Sequence, residues 1–274
     1  MICKFCNSNT STKWRIDYNI KLDFACFDCI MKYIAYDKNI YTFYINDVFK
    51  IVKIRERKLV DYQDNNDSYA IQIFHKIIHH ESSILHNTSW FGTQTIKYPT
   101  DMWIYQEIIN EIKPNIIIET GSYKGGSALF LAHMLDILDN DGVVISIDIE
   151  KRDKPHHERI RYVYGDSISD ETISNLRNII QLTPEPKIMV ILDSDHTKNH
   201  VKKELNIYSK FVSENSYLIV EDTNINGHPV LKNFGPGPWE AVQEFILNNK
   251  EFIIDKSKEK FMLTANPSGF LKKV

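Results

Sequence analysis

The chain has 274 residues, 43% of them apolar and 25% charged, and carries a formal net charge of −3 at neutral pH. That composition supports a substantial folded core and excludes a globally disordered chain. Its mild acidity excludes the broad basic field that would hold a long stretch of nucleic acid.

No apolar run reaches the roughly 18–20 residues of a membrane span. The opening Met1-Ile2-Cys3-Lys4-Phe5-Cys6 lacks the charged-then-apolar order of a secretory signal. Both features predict a soluble, cytoplasmic protein with no membrane partner.

All four cysteines fall at the start, as Cys3-x-x-Cys6 and Cys26-x-x-Cys29. Two such knuckles can converge four thiolates on one tetrahedral Zn2+. The stretches Thr12 to Tyr18 and Lys21 to Cys26 would form the hairpin between them. Two disulfides in a secreted protein are the alternative, opposed by the missing signal and by a core large enough to need no staples. The expected organisation is a zinc-ribbon module over 1–35, a helical or irregular connector over 36–95 and an α/β domain over 96–274. Within the connector, Ile71, Ile73, Phe74, Ile77 and Ile78 have helical spacing, with Asn65 to Ser68 as a cap. His75, His79 and His80 on that helix read as a polar face, since no acidic or thiol partner has matching spacing.

From Pro99 the pattern becomes regular. Thr100 or Asp101 caps a helix running to Ile112, and Pro114 ends it. Asn115 to Glu119 is a buried strand, followed by a Gly-rich turn and a helix from Gly126 to Leu138. Strands are then predicted at Val143–Asp148, Arg161–Tyr164, Lys187–Leu192 and Ser216–Val220, with helices at Thr172–Gln181 and Val201–Phe211 between them. A helix follows Pro238, and Phe252–Ile254 with Phe261–Thr264 would close the sheet as a hairpin. Alternating strands and helices predict a doubly wound, mostly parallel seven-stranded α/β sheet.

In such sheets ligands bind at the carboxyl ends of the strands, where strand order reverses. The first strand leads into Glu119-Thr-Gly121-Ser122-Tyr-Lys-Gly125-Gly-Ser127, a loop whose backbone can approach a cofactor and whose following helix offers free N–H groups. Asp148, ending the second strand, can accept both hydroxyls of a ribose. Asp166, after the third, is placed for an adenine. The loop departs from the dinucleotide pattern G-x-G-x-x-G. Glu119 suits the cationic amino-acid part of S-adenosylmethionine better than a pyrophosphate.

Asp193 ends the fourth strand, and Glu221 with Asp222 ends the fifth. Three carboxylates on neighbouring strand tips repel one another unless a cation sits between them. An all-oxygen set with room for water favours Mg2+, ahead of Mn2+ or Ca2+. Such acids can also serve as caps of the following helices. Trp90 and Phe91 would either cover the cofactor or pack in the core, and His228 would either touch substrate or belong to a rigid lid hinge.

The stretches Asp101 to Glu107, Ile118 to Ser122, Gly125 to Phe130, Ile191 to His196, Val220 to Pro229 and Asn233 to Pro238 together resemble the cephalosporin hydroxylase-like (CmcI-like) family of class I methyltransferase-fold proteins. The resemblance covers about two thirds of the chain and implies S-adenosylmethionine as cofactor, a sugar hydroxyl as acceptor and a homo-oligomer. The fourth-strand motif is also similar to that of catechol and caffeoyl-type enzymes, where a lysine three residues beyond the metal aspartate is taken as the base. Here His196 stands at that position, suited to take a proton near neutral pH.

The combined expectation is a metal-dependent O-methyltransferase acting on adjacent hydroxyls of a nucleotide sugar or glycan. Asp193, Glu221 and Asp222 would hold the ion, and His196 or Asp193 would take the proton. The rivals are a hydroxylase of the cephalosporin type, or a ribbon-guided nucleic-acid or partner binder whose α/β domain senses a metabolite.

Overall fold

In this computed structural model the chain divides into two compact units, Met1–Ala70 and Ile71–Val274. The fold is described at Trp14–Tyr18, Lys21–Ala25, Thr42–Ile45, Phe49–Val52 and from Asn65 onward except Glu81, with side chains described at 70–80 and from Ile84 onward. In the first unit, β1 (Trp14–Tyr18), β2 (Lys21–Ala25), β3 (Thr42–Ile45) and β4 (Phe49–Val52) form an antiparallel sheet of order β2-β1-β3-β4. β1 and β2 make the expected hairpin, Trp14 opposite Ala25. Cys3, Cys6, Cys26 and Cys29, and with them the predicted zinc, lie outside the described residues.

The helix α1 (Asn65–His80) runs through the Ala70/Ile71 boundary, and the second unit continues with α2 (Ser82–His86), the short hairpin β5 (Ser89–Trp90) and β6 (Thr93–Gln94), and α3 (Pro99–Ile112). Its sheet is built from β7 (Ile116–Thr120), β8 (Val143–Asp148), β9 (Ile160–Tyr164), β10 (Ile188–Leu192), β11 (Tyr217–Val220), β12 (Phe252–Ile254) and β13 (Phe270–Lys273). The helices α4 (Gly126–Ile137), α5 (Asp170–Ile180), α6 (Lys198–Tyr208) and α7 (Pro238–Asn248) link these strands. Strand order is β12-β13-β11-β10-β7-β8-β9, parallel except at β13, which runs antiparallel to both neighbours. This is the doubly wound, class I methyltransferase-type α/β fold.

The period of two along each strand sorts the core into two layers. Ile116, Ile118, Val190, Leu192, Leu218 and Val220 pack against α5, α6 and α7. Ile117, Met189, Ile191, Tyr217, Ile219 and Phe270 pack on the other face, against α3 and α4. Because both faces are covered, the central strands read as unbroken apolar runs, each fully buried large side chain contributing roughly 1.5–3 kcal/mol.

Three local expectations are corrected. Phe261–Thr264 is not a strand; the closing strand is β13, after a 3-10 turn at Lys256–Glu259. Phe261 and Met262 stay exposed, whereas Phe270 and Leu271 are fully buried and therefore gain from pairing in the sheet. Neither Thr100 nor Asp101 caps α3: Tyr98 is the N-cap with no side-chain bond, and the Asp101 carboxylate accepts the backbone N–H of Ala265 at 2.8 Å. His75 is not on a polar face: it is buried, with Nε2 3.1 Å from the carbonyl of Met262. Among the described residues no helix is long and apolar enough to cross a membrane.

Candidate active site

The chain leaves β7 for β8 and β9 on one side, then returns to β10 and β11 on the other. Strand order therefore reverses between β7 and β10, and a cavity of about 520 Å3 opens above their carboxyl ends. At its base Asp193 N donates to Thr120 O at 3.1 Å. Gly121 has φ +86°, and a Cβ on it would lie 1.8 Å from the Asp193 carbonyl oxygen. Only glycine lets the two strand ends approach so closely.

Beyond Gly121 the loop is held by its own backbone and by hydroxyls. Ser122 is buried, its Oγ 2.6 Å from Ser146 Oγ. Gly125 is the N-cap of α4 and contributes no capping side chain, and Gly126 with Ser127 lines the cavity at the start of that helix. Asp148, at the end of β8, lines the cavity: Oδ2 accepts Tyr123 N at 2.7 Å and stands 3.3 Å from Lys154 Nζ, while Oδ1 accepts Glu150 N at 2.8 Å. Asp166 lines the same cavity, with its Oδ1 accepting Ile168 N at 3.1 Å. Glu119 sits beneath the loop, off the main cavity wall. It is fully buried, Oε2 accepts Ser146 Oγ at 2.6 Å, and Oε1 has no partner. Burial pushes its carboxyl up, against the pull of Lys97 and of the Ser127 and Ser146 hydroxyls.

The other end of the cavity is built from charges. Lys97, only 6% exposed, places Nζ 2.5 Å from Asp193 Oδ2 and 2.6 Å from Glu221 Oε1. A cation does sit between these strand tips, and it is a lysine ammonium. Tyr105 donates its hydroxyl to the same Glu221 oxygen at 2.8 Å and accepts Asn266 Nδ2 at 2.9 Å. Asn266 in turn accepts the N–H of Asp222 at 3.2 Å. Asp222 adopts φ +53°, in the left-handed region that aspartate tolerates better than most residues. Its Oδ2 is 3.2 Å from His196 Nε2.

These placements set the protonation tendencies. Burial works against the charge on Lys97, but Asp193 and Glu221, with Glu119 behind them, outweigh it and hold the ammonium well above the usual lysine range. Burial, then the Asp193 charge, pushes Glu221 well up, opposed by Lys97. Burial likewise raises Asp193 against the pull of Lys97.

The structure brings Asp193, His196 and Asp222 together, with ligating atoms within 4.8 Å of one another. Glu221 is turned to Lys97 and Tyr105 instead of joining that group. A second group of metal-capable side chains, His133, Asp136 and His157, lies elsewhere. There Trp90 Nε1 donates to His133 Nδ1, the Arg159 N–H donates to His157 Nδ1, and the Arg159 guanidinium holds Asp136. Each imidazole so bonded carries its proton on Nε2, so the cluster reads as a hydrogen-bonded network.

Three residues that support the strand tips have no counterpart in the sequence reading. Lys97, Tyr105 and Asn266 come from segments far from the strand tips they serve. On the cavity wall, His200 Nε2 lies 3.0 Å from Ser167 Oγ and 3.2 Å from Ser194 Oγ. The buried Glu204, with Oε1 3.6 Å from His200 Nε2, raises that imidazole. One signal for Lys97 was available: three tip acids require a cation, and a lysine flanked by Ile96 and Tyr98 just before a helix is a buried-lysine candidate. His228 does not line the cavity; it stacks on Trp239 at 4.1 Å and bonds Glu240. Trp90 packs edge-on against Phe130, and Phe91 is 80% exposed.

Comparison with known proteins agrees with this architecture. The family model described as Rhamnosyl O-methyltransferase/CmcI matches residues 82–274. The rhamnosyl O-methyltransferase of Mycobacterium leprae is 36% identical over 196 residues, covering 69% of this chain and 84% of that protein. Its counterpart in Mycobacterium tuberculosis strain H37Rv is 37% identical over 193 residues, covering 67% and 77%. Among solved structures, apo CmcI aligns with a TM-score of 0.53 at 23% identity, covering 69% of this chain and 77% of that one. CmcI with Mg and SAM aligns at 0.51 and 22%, with the same coverage. With the family model spanning the whole α/β sheet and its cavity, the chain belongs to the rhamnosyl O-methyltransferase/CmcI family.

Proposed function

We propose that the chain is a divalent-metal-dependent O-methyltransferase that moves a methyl group from S-adenosylmethionine to a sugar hydroxyl flanked by a second hydroxyl. O-Methyl transfer from S-adenosylmethionine follows from the family. The observation that carries the rest is the convergence of Asp193, His196 and Asp222 at one end of a cavity whose other end is the Gly121 loop and Asp148. The sugar acceptor draws its support from the relatives named as rhamnosyl O-methyltransferases.

The residues present fit both groups. The Gly121 cradle is closed to any Cβ, and the buried Glu119 Oε1 lacks a partner, as suits a cationic ligand above it. Gly121, Ser122, Gly125 and Ser127, with the N-terminus of α4, would hold the amino-acid part of the cofactor, Asp148 its ribose and Asp166 its adenine. Asp193 and Asp222 would hold Mg2+ or Mn2+, with Glu221 as the third carboxylate at the same tips.

When bound, the cofactor supplies an already activated methyl group, and the metal supplies a lowered hydroxyl pKa and a fixed acceptor geometry. His196 would take the hydroxyl proton on its imidazole, which Asp222 Oδ2, 3.2 Å from Nε2, helps to orient. Gly121 keeps the cofactor loop pressed to the Asp193 backbone, so donor and acceptor are positioned by one rigid junction. The test is calorimetric titration with S-adenosylhomocysteine, with and without Mg2+, followed by transfer of labelled methyl to nucleotide sugars and rhamnosyl glycans. Micromolar binding and label on a vicinal diol are the expected results. Absence of product binding under both conditions overturns the reading.

A further inference from the structure

The residue that the metal reading leaves without a task is Lys97. Its ammonium occupies the place between Asp193 and Glu221 where a divalent ion would balance the strand tips. The one ammonium faces Asp193 and Glu221, and Asp222 stands at the same strand tip as Glu221. Lys97 makes no bond to Asp222, whose Oδ2 faces His196. A divalent ion carries twice the charge and can also engage Asp222, so it out-competes a single ammonium for the shared carboxylates.

Lysine suits such an exchange. It is a compact point charge on a flexible stem, whereas arginine would lock a carboxylate in a planar fork.

We propose that Lys97 is a tethered counter-cation that holds Asp193 and Glu221 in the metal-free chain and must be displaced when a divalent ion binds. The inference rests on the metal reading above and assigns a positioning residue to it. Without metal, Lys97 keeps the Asp193 and Glu221 carboxylates from facing one another uncompensated, which keeps the strand tips in register. With metal, its withdrawal releases Glu221 to complete the oxygen set. Lys97 therefore weakens metal binding and stabilises the empty site.

The test is calorimetric titration of wild type and Lys97→Met with Mg2+ and with Mn2+, without cofactor, at fixed pH and ionic strength. The variant is expected to bind metal about tenfold more tightly, or better, since a buried like charge has been removed. Its melting temperature should fall without metal and recover more than wild type does when metal is added. In wild type, reductive methylation of Lys97, read by peptide mass spectrometry, should rise when Mg2+ saturates the site, because the ammonium leaves its buried pair. This second measurement stands if the variant does not fold. Equal or weaker metal binding by a folded Lys97→Met, or unchanged labelling of wild type at saturation, overturns the proposal and leaves the metal reading intact. Failure of both proteins to bind either ion overturns the two together, with S-adenosylhomocysteine binding still deciding the cofactor assignment.

Discussion

The two ends of the cavity are stabilised in different ways. The loop end, from Gly121 to Asp148, is held by backbone N–H groups, hydroxyls and a glycine approach, with Tyr123 N and Glu150 N fixing the Asp148 carboxylate. The acidic end, from Asp193 to Asp222, is held by buried side-chain charges, with Lys97, Tyr105 and Asn266 meeting Glu221 and Asp222. Backbone scaffolds tolerate side-chain change, because the main chain supplies the donors. Ion clusters do not, since removing one member leaves the others buried and unpaired.

Substitutions at the two ends should therefore separate in kind. The largest effect is expected at the acidic end: Asp193→Ala should lower turnover by about a thousandfold while changing S-adenosylhomocysteine affinity only a few-fold, as single-turnover kinetics and calorimetry would show. Unchanged turnover would remove Asp193 from the chemistry. Next, Gly121→Ala joins the two ends by collision, because its Cβ meets the Asp193 carbonyl and its φ is positive. A stability loss of about 2 kcal/mol or more, with cofactor binding lost, is expected in denaturant titration.

At the loop end, Asp148→Ala should weaken S-adenosylhomocysteine about tenfold and leave turnover at saturating cofactor within a few-fold. A turnover collapse there would erase the distinction between the ends. The smallest effect concerns Asp101, whose carboxyl burial pushes up to about 7. A raised acid contributes stability that is complete below the ordinary carboxylate range and is lost as pH rises through about 7. Asp101→Asn should remove that slope, so melting curves at pH 5 and pH 8 should differ less in the variant than in wild type.

The same contrast explains what could be read from the linear sequence. Strand β8 and the strand ends bearing Asp148, Asp193 and Glu221 were legible, because buried parallel strands appear as short apolar runs and their final acids are adjacent in the chain. The Lys97 pairing was not, since it joins residues 124 positions apart and no periodicity encodes it. Nor was the choice of closing strand. Phe261-Met262-Leu263 and Phe270-Leu271 are equally apolar, and tertiary packing decided between them. Gly269 marks the place, for a Cβ there would lie 2.2 Å from the Val220 carbonyl. That glycine lets the last strand close against β11, a close approach that composition alone does not announce.

The junction of Gly121 with the Asp193 backbone has one more consequence. With no gap between the proposed cofactor loop and the strand that bears the proposed metal ligand Asp193, occupancy of either side would bias the geometry of the other. Thermodynamic reciprocity then requires that the factor by which Mg2+ changes S-adenosylhomocysteine affinity equal the factor by which S-adenosylhomocysteine changes Mg2+ affinity. The coupling would be carried by a single pair of residues in van der Waals contact, so the two affinities are linked through a backbone contact a few ångströms wide.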